Sequence, residues 1–295
     1  MRRSAFPLPV LSAPVQGILW MTVSSGFYSM IYVIVRGLTE TFPVSEVVFF
    51  RAVLGSAFML PWVFSVGMAG LRTQQMPLYI WRMAFSYLGA LGFMYGIRGM
   101  PLADANALMF TLPLFAVIMA AIWLHERPGP HRLAATAIGF LGAMIILRPG
   151  VIEISLAALA TLFAAAMFAA ALIGTKKLTA TENPNAIVFY LYTLMIPAAA
   201  IPAFLDWVSP GMKDIPLLLA LGVCTIGAQQ CQTRAFRAAP ASLVVIVNYV
   251  QLPMIAFLGW IAFGQSTDIW TWAGAAVICA STYYISYRES RARRR

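Results

Sequence analysis

The chain is predicted to be an all-α polytopic membrane protein, with ten transmembrane helices arranged as two inverted five-helix repeats. Three observations lead there. The 295 residues are 61% hydrophobic and only 10% charged, where a soluble domain carries about 25% charged residues. The charges lie between apolar stretches: residues 4–35, 52–71, 105–125, 183–205, 215–233, 238–267 and 269–287 contain no Asp, Glu, Lys or Arg. Each run is near or above the roughly 18–20 residues that cross a bilayer core about 30 Å thick. The third observation is an internal repetition at a separation of 139 or 140 residues.

The elements follow in order from the turn residues and charges that punctuate the apolar runs. Residues 1–30 superficially suggest a signal peptide, but Pro7, Pro9 and Pro14 interrupt its early part and the run to Val35 is long enough to span. The segment 14–36 is therefore expected to be a retained first helix. Thr39–Phe42 separates it from 43–67, and Gly70–Gln75 separates that from 77–98. The fourth span, 102–124, ends at His125–Pro130, and the fifth, 131–148, at Arg148–Glu153. The second set is 154–175, 185–205, 214–234, 240–263 and 269–287, divided by Lys176–Pro184, Asp206–Lys213, Arg234–Ala239 and Gly264–Asp268. No soluble domain or low-complexity linker is expected, so function has to reside inside the bundle.

Val47-Val48-Phe49-Phe50 recurs as Ile187-Val188-Phe189-Tyr190, and Ile97-Arg98-Gly99-Met100-Pro101 with Pro113 recurs as Phe236-Arg237-Ala238-Ala239-Pro240 with Pro253. Five helices per half is an odd number, so the second copy (residues 151–295, with a basic tail) inserts upside down relative to the first (residues 1–150). Transporters built from such inverted repeats place their substrate near the midplane, at the repeat interface. Lys and Arg counts orient the chain. With both termini cytoplasmic, fourteen lie inside and four (Arg36, Arg98, Arg148, Lys213) outside, while Arg51 and Arg82 fall within spans.

The net charge of +10 does not point to nucleic acid, because the positive residues sit at the ends of apolar runs rather than on one folded face. Cys224, Cys231 and Cys279 all lie in apolar segments without metal-binding spacing. His125 and His131 share one loop, and no metal or other cofactor is expected. Neither HExxH nor GxSxG occurs, which argues against a membrane enzyme.

The stretch from Gly99-Met100-Pro101-Leu102 through Leu112-Pro113-Leu114-Phe115 to Leu124-His125-Glu126-Arg127 resembles the repeat of the drug/metabolite transporter superfamily, in its EamA-type ten-helix branch. Arg51, eight residues after Pro43, and Leu147-Arg148-Pro149-Gly150 add to the resemblance. It implies a secondary carrier working by alternating access, and export of amino acids across a bacterial inner membrane. One departure is Gly264-Gln265, where Glu often follows the glycine.

Several residues could carry substrate. Arg51 lies roughly 12 Å below the outer surface, where a guanidinium needs protein or water around it. It either contacts a substrate carboxylate or pairs with Glu46, Asp104 or backbone carbonyls, and the resemblance favours the structural role. Pro113 and Pro253 lie about 18 and 20 Å into their helices. They kink or hinge the bundle, or free the Met109 and Tyr249 carbonyls for a ligand. Trp20, Ser24, Tyr28, Tyr87, Tyr95, Asn106, Gln229, Asn248 and Gln251 are individually explained as helix–helix contacts; as a set they suggest a cavity of aromatics and uncharged amides. Trp260 is a further deep residue that could line it. Tyr87, Leu91, Met94/Tyr95 and Arg98 recur every three or four residues and are expected on one face.

Such a lining suits a neutral or zwitterionic metabolite with an apolar part, such as an aromatic or large aliphatic amino acid. A multidrug or other metabolite efflux carrier of the same fold is the alternative. The partners expected are the bilayer and the small-molecule substrate, with the chain acting as a monomer.

Overall fold

In hydrocarbon each backbone N–H and C=O has to be bonded within its own segment, and the apolar runs fold accordingly as helices. The computed structural model describes residues 13–67, 71–123, 130–148, 155–178, 181–239 and 247–292, and no strand occurs among them. Eleven helices are described: α1 (Ala13–Leu38), α2 (Val44–Val66), α3 (Met76–Gly99), α4 (Leu102–Met109), α5 (Leu112–Trp123), α6 (Pro130–Leu147), α7 (Leu156–Leu178), α8 (Pro184–Ala203), α9 (Ile215–Ala238), α10 (Gln251–Phe263) and α11 (Ile269–Ala292). Six candidate spans, with α4 and α5 counted together over Leu102–Met119, are long and apolar enough to cross a membrane by length and composition. Leu133–Leu147, Gln251–Phe263 and Ile269–Ile285 are shorter apolar helices. Residues 124–129, 149–154 and 240–246 lie outside the described residues, and with them the whole Leu124-His125-Glu126-Arg127 stretch, Pro149-Gly150 and the start of the ninth span.

The strongest helix pairings join one half of the chain to the other: α1 with α9, α3 with α7, α2 with α8, and α6 with α11. Exchanging the halves maps these pairs onto one another, since α1 corresponds to α7 and α3 to α9. The correspondence reaches single residues. A Cβ on Gly99 would crowd Ala157, and 140 residues on, with sides exchanged, Gly17 faces Ala239. The corresponding helices α2 and α8 run antiparallel, with Phe49 beside Phe204 at one end and Gly55 against the Tyr192 ring further along. Likewise Ser281 bonds the Ala135 carbonyl while Gly274 packs on Ile146. Corresponding helices that run antiparallel are the geometric meaning of an inverted repeat.

Small residues permit these crossings, as expected where helices associate without a hydrophobic drive. On α3 the glycine stripe packs on α7: a Cβ at Gly92 would stand 2.8 Å from the Ala160 carbonyl oxygen, and one at Gly89 would stand 3.0 Å from the Phe168 ring. Large apolar side chains such as Phe64 and Ile201 face outward, 79% and 73% exposed, as lipid-facing residues do.

Arg82 is buried between the halves. Its Nε donates to Thr175 Oγ1 at 2.6 Å and Nη1 to the Ile187 carbonyl at 2.8 Å. Arg82→Met removes two charge-assisted bonds and leaves two acceptors inside the bundle, a cost of about 2 kcal/mol. A lowered melting temperature in detergent, with substrate absent, is the expected result; an unchanged one contradicts this role.

The fourth and ninth spans differ from expectation. Proline inside an apolar run reads as a kink, yet the fourth span is broken outright: Phe110 N–H bonds the Ala107 carbonyl and Thr111 N–H that of Leu108, three residues back, before α5 begins at Leu112. Val250 N–H bonds the Val247 carbonyl in the same way before α10. Pro113 and Pro253 therefore occupy first turns, where a missing N–H costs no helical bond.

Candidate functional site

The two breaks face each other, since α4 packs on α10. The Phe110 ring meets Tyr249 edge-on, with centroids 4.6 Å apart. One turn before Phe110, Asn106 is 1% exposed and its Nδ2 has no hydrogen-bond partner. The Gln251 side chain lies beside Tyr32 and the Tyr249 hydroxyl beside Thr282, each in a loose contact rather than a short, well-aligned hydrogen bond. Buried polar groups normally are bonded, so the Asn106 amide, unanswered beside the paired helix breaks, is the candidate here for contact with a ligand.

The cluster continues onto α1 and α2. Tyr28 and Tyr32, one turn apart, have ring centroids 6.5 Å apart, and Tyr32 meets Phe93 of α3 at 4.6 Å. The Tyr28 hydroxyl donates to Gln232 Oε1 at 3.2 Å. Ser25 Oγ donates to the Met21 carbonyl at 3.0 Å and lies 3.4 Å from Asn248 Oδ1. The Gln251 side chain is a hydrogen-bonding neighbour of Tyr32, Arg51 is an electrostatic neighbour of both Tyr32 and Tyr28, and Tyr192 is one of Tyr28. The Tyr192 hydroxyl and Arg51 Nε are buried and make no hydrogen bond.

Of the residues named from the sequence, Tyr28, Arg51, Asn106, Asn248, Tyr249 and Gln251 come together here, and Met109 ends α4 at the first break. Ser24 is fully buried, but its hydroxyl donates to the Ala228 carbonyl at 2.9 Å, which joins α1 to α9. Tyr87 packs on the edge of the core. Gln229 accepts through its carbonyl from Thr233, whereas the neighbouring Gln230 bonds Asn185 Oδ1 at 3.1 Å. The Tyr249 carbonyl accepts the Leu252 N–H at 3.2 Å, so the acceptor expected to be freed there has a backbone partner.

Some placements differ from the expectation of one lined cavity. Trp20 lies under the Arg234 guanidinium, 4.9 Å from its ring centre, beside Met21, Ala235 and Ala239 near the end of α9. Trp260 is 61% exposed. Tyr95 is 44% exposed and Arg98 is exposed, whereas Met94 is buried. The glycine face of α3 turns toward α7 and thereby directs Tyr95 outward. Pro253 is exposed, which fits a role in the break better than contact with a ligand.

Arg51 pairs with neither suggested acid. Glu46, five residues away and about 140° around the helix, accepts the Val208 N–H at 3.1 Å, and Asp104 accepts from Thr271. Gln265 Oε1 accepts the Leu102 N–H at 3.0 Å, capping α4 from the other half. A neutral amide can perform that capping. Nearby, Arg148 and Asp268 join the halves in an ion pair at 2.7 Å.

Tyr32, Phe93, Phe110, Tyr192 and Gln232 were not singled out from the sequence. Tyr32 was signalled by its one-turn spacing from Tyr28. Tyr192 had no signal, since its counterpart in the first half is Ala52. Among the described residues no group of three or more His, Cys, Asp or Glu could hold a metal ion.

The EamA-like transporter family matches residues 15–148 and 155–287. A riboflavin transporter of Rhizobium johnstonii is 33% identical over 287 residues, covering 96% of this chain and 95% of the relative. A riboflavin transporter of Vibrio cholerae is 32% identical, covering 96% of each chain. The pseudopaline exporter CntI of Pseudomonas aeruginosa PA14 is 29% identical over 279 residues, covering 94% of this chain and 98% of the exporter.

Proposed function

The chain belongs to the EamA-like transporter family, and on that premise we propose that it carries riboflavin across a bacterial inner membrane by alternating access. As a member of that family it is a multi-pass membrane transporter of small molecules and not an enzyme. The observation that carries the flavin reading is the unpartnered Asn106 amide beside the edge-on Phe110 and Tyr249 rings, with the loosely held Gln251 side chain and Tyr249 hydroxyl alongside. An isoalloxazine ring is flat and uncharged, with donors and acceptors along one edge, and it stacks on aromatic faces. Its ribityl hydroxyls suit the Gln232, Asn248 and Ser25 groups alongside. The names of the two riboflavin transporters support the same reading.

Amino acid export has weaker support. An α-ammonium group needs anionic or multiple carbonyl acceptors, and the acids nearest the bundle are engaged at its ends: Glu46 with Val208, Asp104 with Thr271 and Asp268 with Arg148. In this proposal both termini are cytoplasmic, following the distribution of Lys and Arg. A single chain forms the path, because the internal two-fold supplies both halves of the site. The halves, residues 1–150 and 151–295, rock about the breaks.

Proteoliposomes of the full chain test the substrate. Saturable riboflavin uptake, competed by unlabelled riboflavin and not by phenylalanine, tyrosine or tryptophan, is expected. Saturable amino acid movement without flavin uptake would replace this reading with the amino acid carrier.

A further inference from the structure

Of the two arginines expected within spans, Arg82 is answered by the protein and Arg51 is not, among the described residues. Arg82 is 6% exposed and bonds Thr175 and the Ile187 carbonyl. Arg51 is half-buried, its Nε is enclosed without a partner, and no described carboxylate or carbonyl accepts a hydrogen bond from it. A guanidinium at this depth persists only where protein, water or ligand supplies acceptors. Tyr28 and Tyr32 are its electrostatic neighbours, their rings 6.5 Å apart and inclined at 47°, and the Tyr28 hydroxyl already donates to Gln232.

We propose that Arg51 is the polar anchor of the site, gripping two adjacent acceptor atoms on the edge of a flat heterocycle that packs beside Tyr28 and Tyr32. This rests on the flavin reading above and adds the recognising residue to it. In a flavin, ring nitrogen N1 and the C2 carbonyl oxygen form such a pair. They are spaced much like carboxylate oxygens, which the guanidinium fork binds bidentately. Lysine supplies the charge without the fork, so Arg51→Lys retains only part of the affinity.

The test titrates riboflavin and 1-deazariboflavin, in which N1 is replaced by C–H, into the full chain in lipid nanodiscs. Arg51→Gln is expected to weaken riboflavin binding about tenfold or more and to weaken 1-deazariboflavin, which keeps only the C2 carbonyl acceptor, several-fold less, with Arg51→Lys intermediate for riboflavin. Equal weakening of both ligands, or wild-type riboflavin affinity in Arg51→Gln, overturns the contact. Ligand-free melting is an independent check: an anchor leaves the melting temperature within about 3 °C of wild type, whereas a larger fall makes Arg51 structural. If the wild-type chain binds neither flavin, the flavin reading fails by itself. Titration with tryptophan then decides Arg51: selective loss of this carboxylate ligand in Arg51→Gln with normal melting keeps the anchor, and any other outcome removes it.

Discussion

Gly274→Val yields little folded protein, and what is recovered melts far below wild type. A Cβ at position 274 would stand 2.5 Å from the Gly142 carbonyl oxygen and 2.5 Å from Ile146 Cγ1. The oxygen belongs to helix backbone and cannot swing aside, so α6 and α11 have to separate. Overpacking of this kind costs about 3 kcal/mol or more when the backbone must move, a large part of the roughly 5–15 kcal/mol that holds a protein folded. The two helices correspond to each other in the two halves, so the change strikes the crossing on the pseudo-two-fold itself. Gly26, with nothing within 4 Å of its Cβ position, is the control: Gly26→Ala leaves melting unchanged or slightly raised. Size-exclusion profiles and thermal unfolding of both variants make the comparison, and equal behaviour of the two would refute the close crossing.

Asn106→Leu moves stability and transport in opposite directions. The Asn106 Nδ2 is buried without a partner, and an unsatisfied donor of that kind costs about 1–3 kcal/mol. Leucine has nearly the same volume and no donor, so the variant melts at or above the wild-type temperature. Transport falls about tenfold, the loss of one neutral hydrogen bond to the ligand. Gln251→Leu also lowers transport but, losing the contact with Tyr32, does not raise the melting temperature; the double variant loses more transport than either. Were Asn106 a helix–helix contact, leucine would lower stability and leave transport efficiency per folded molecule intact. Uptake normalised to folded protein, measured beside melting curves, separates these outcomes.

Helix positions and the inverted repeat were readable because charge-free length and odd helix parity are consequences of the bilayer itself. Gly99 with Ala157 and Gly17 with Ala239 display the repeat again in packing. The breaks were harder to read. Phe110-Thr111 and Tyr249-Val250 carry no turn-forming glycine, and Pro113 and Pro253 lie a few residues beyond the turns they accompany. Tyr95 shows why the site was only partly legible. The lipid face and the cavity face of a membrane helix are both apolar and both tolerate tyrosine, so periodicity alone does not separate them. Arg51 stood out because charge is costly at that depth. Its supposed partner Glu46 lay near in sequence and on another side of the helix, committed to Val208.

A structure of the chain with riboflavin bound bears on the site more sharply than any variant. Ring density is expected between the paired breaks, within about 4 Å of Tyr28, Tyr32 and either Phe110 or Tyr249, with one ring edge toward Arg51. Density on the lipid-facing surface near Tyr95 or beside Trp20, or an empty site at saturating riboflavin, would refute that placement.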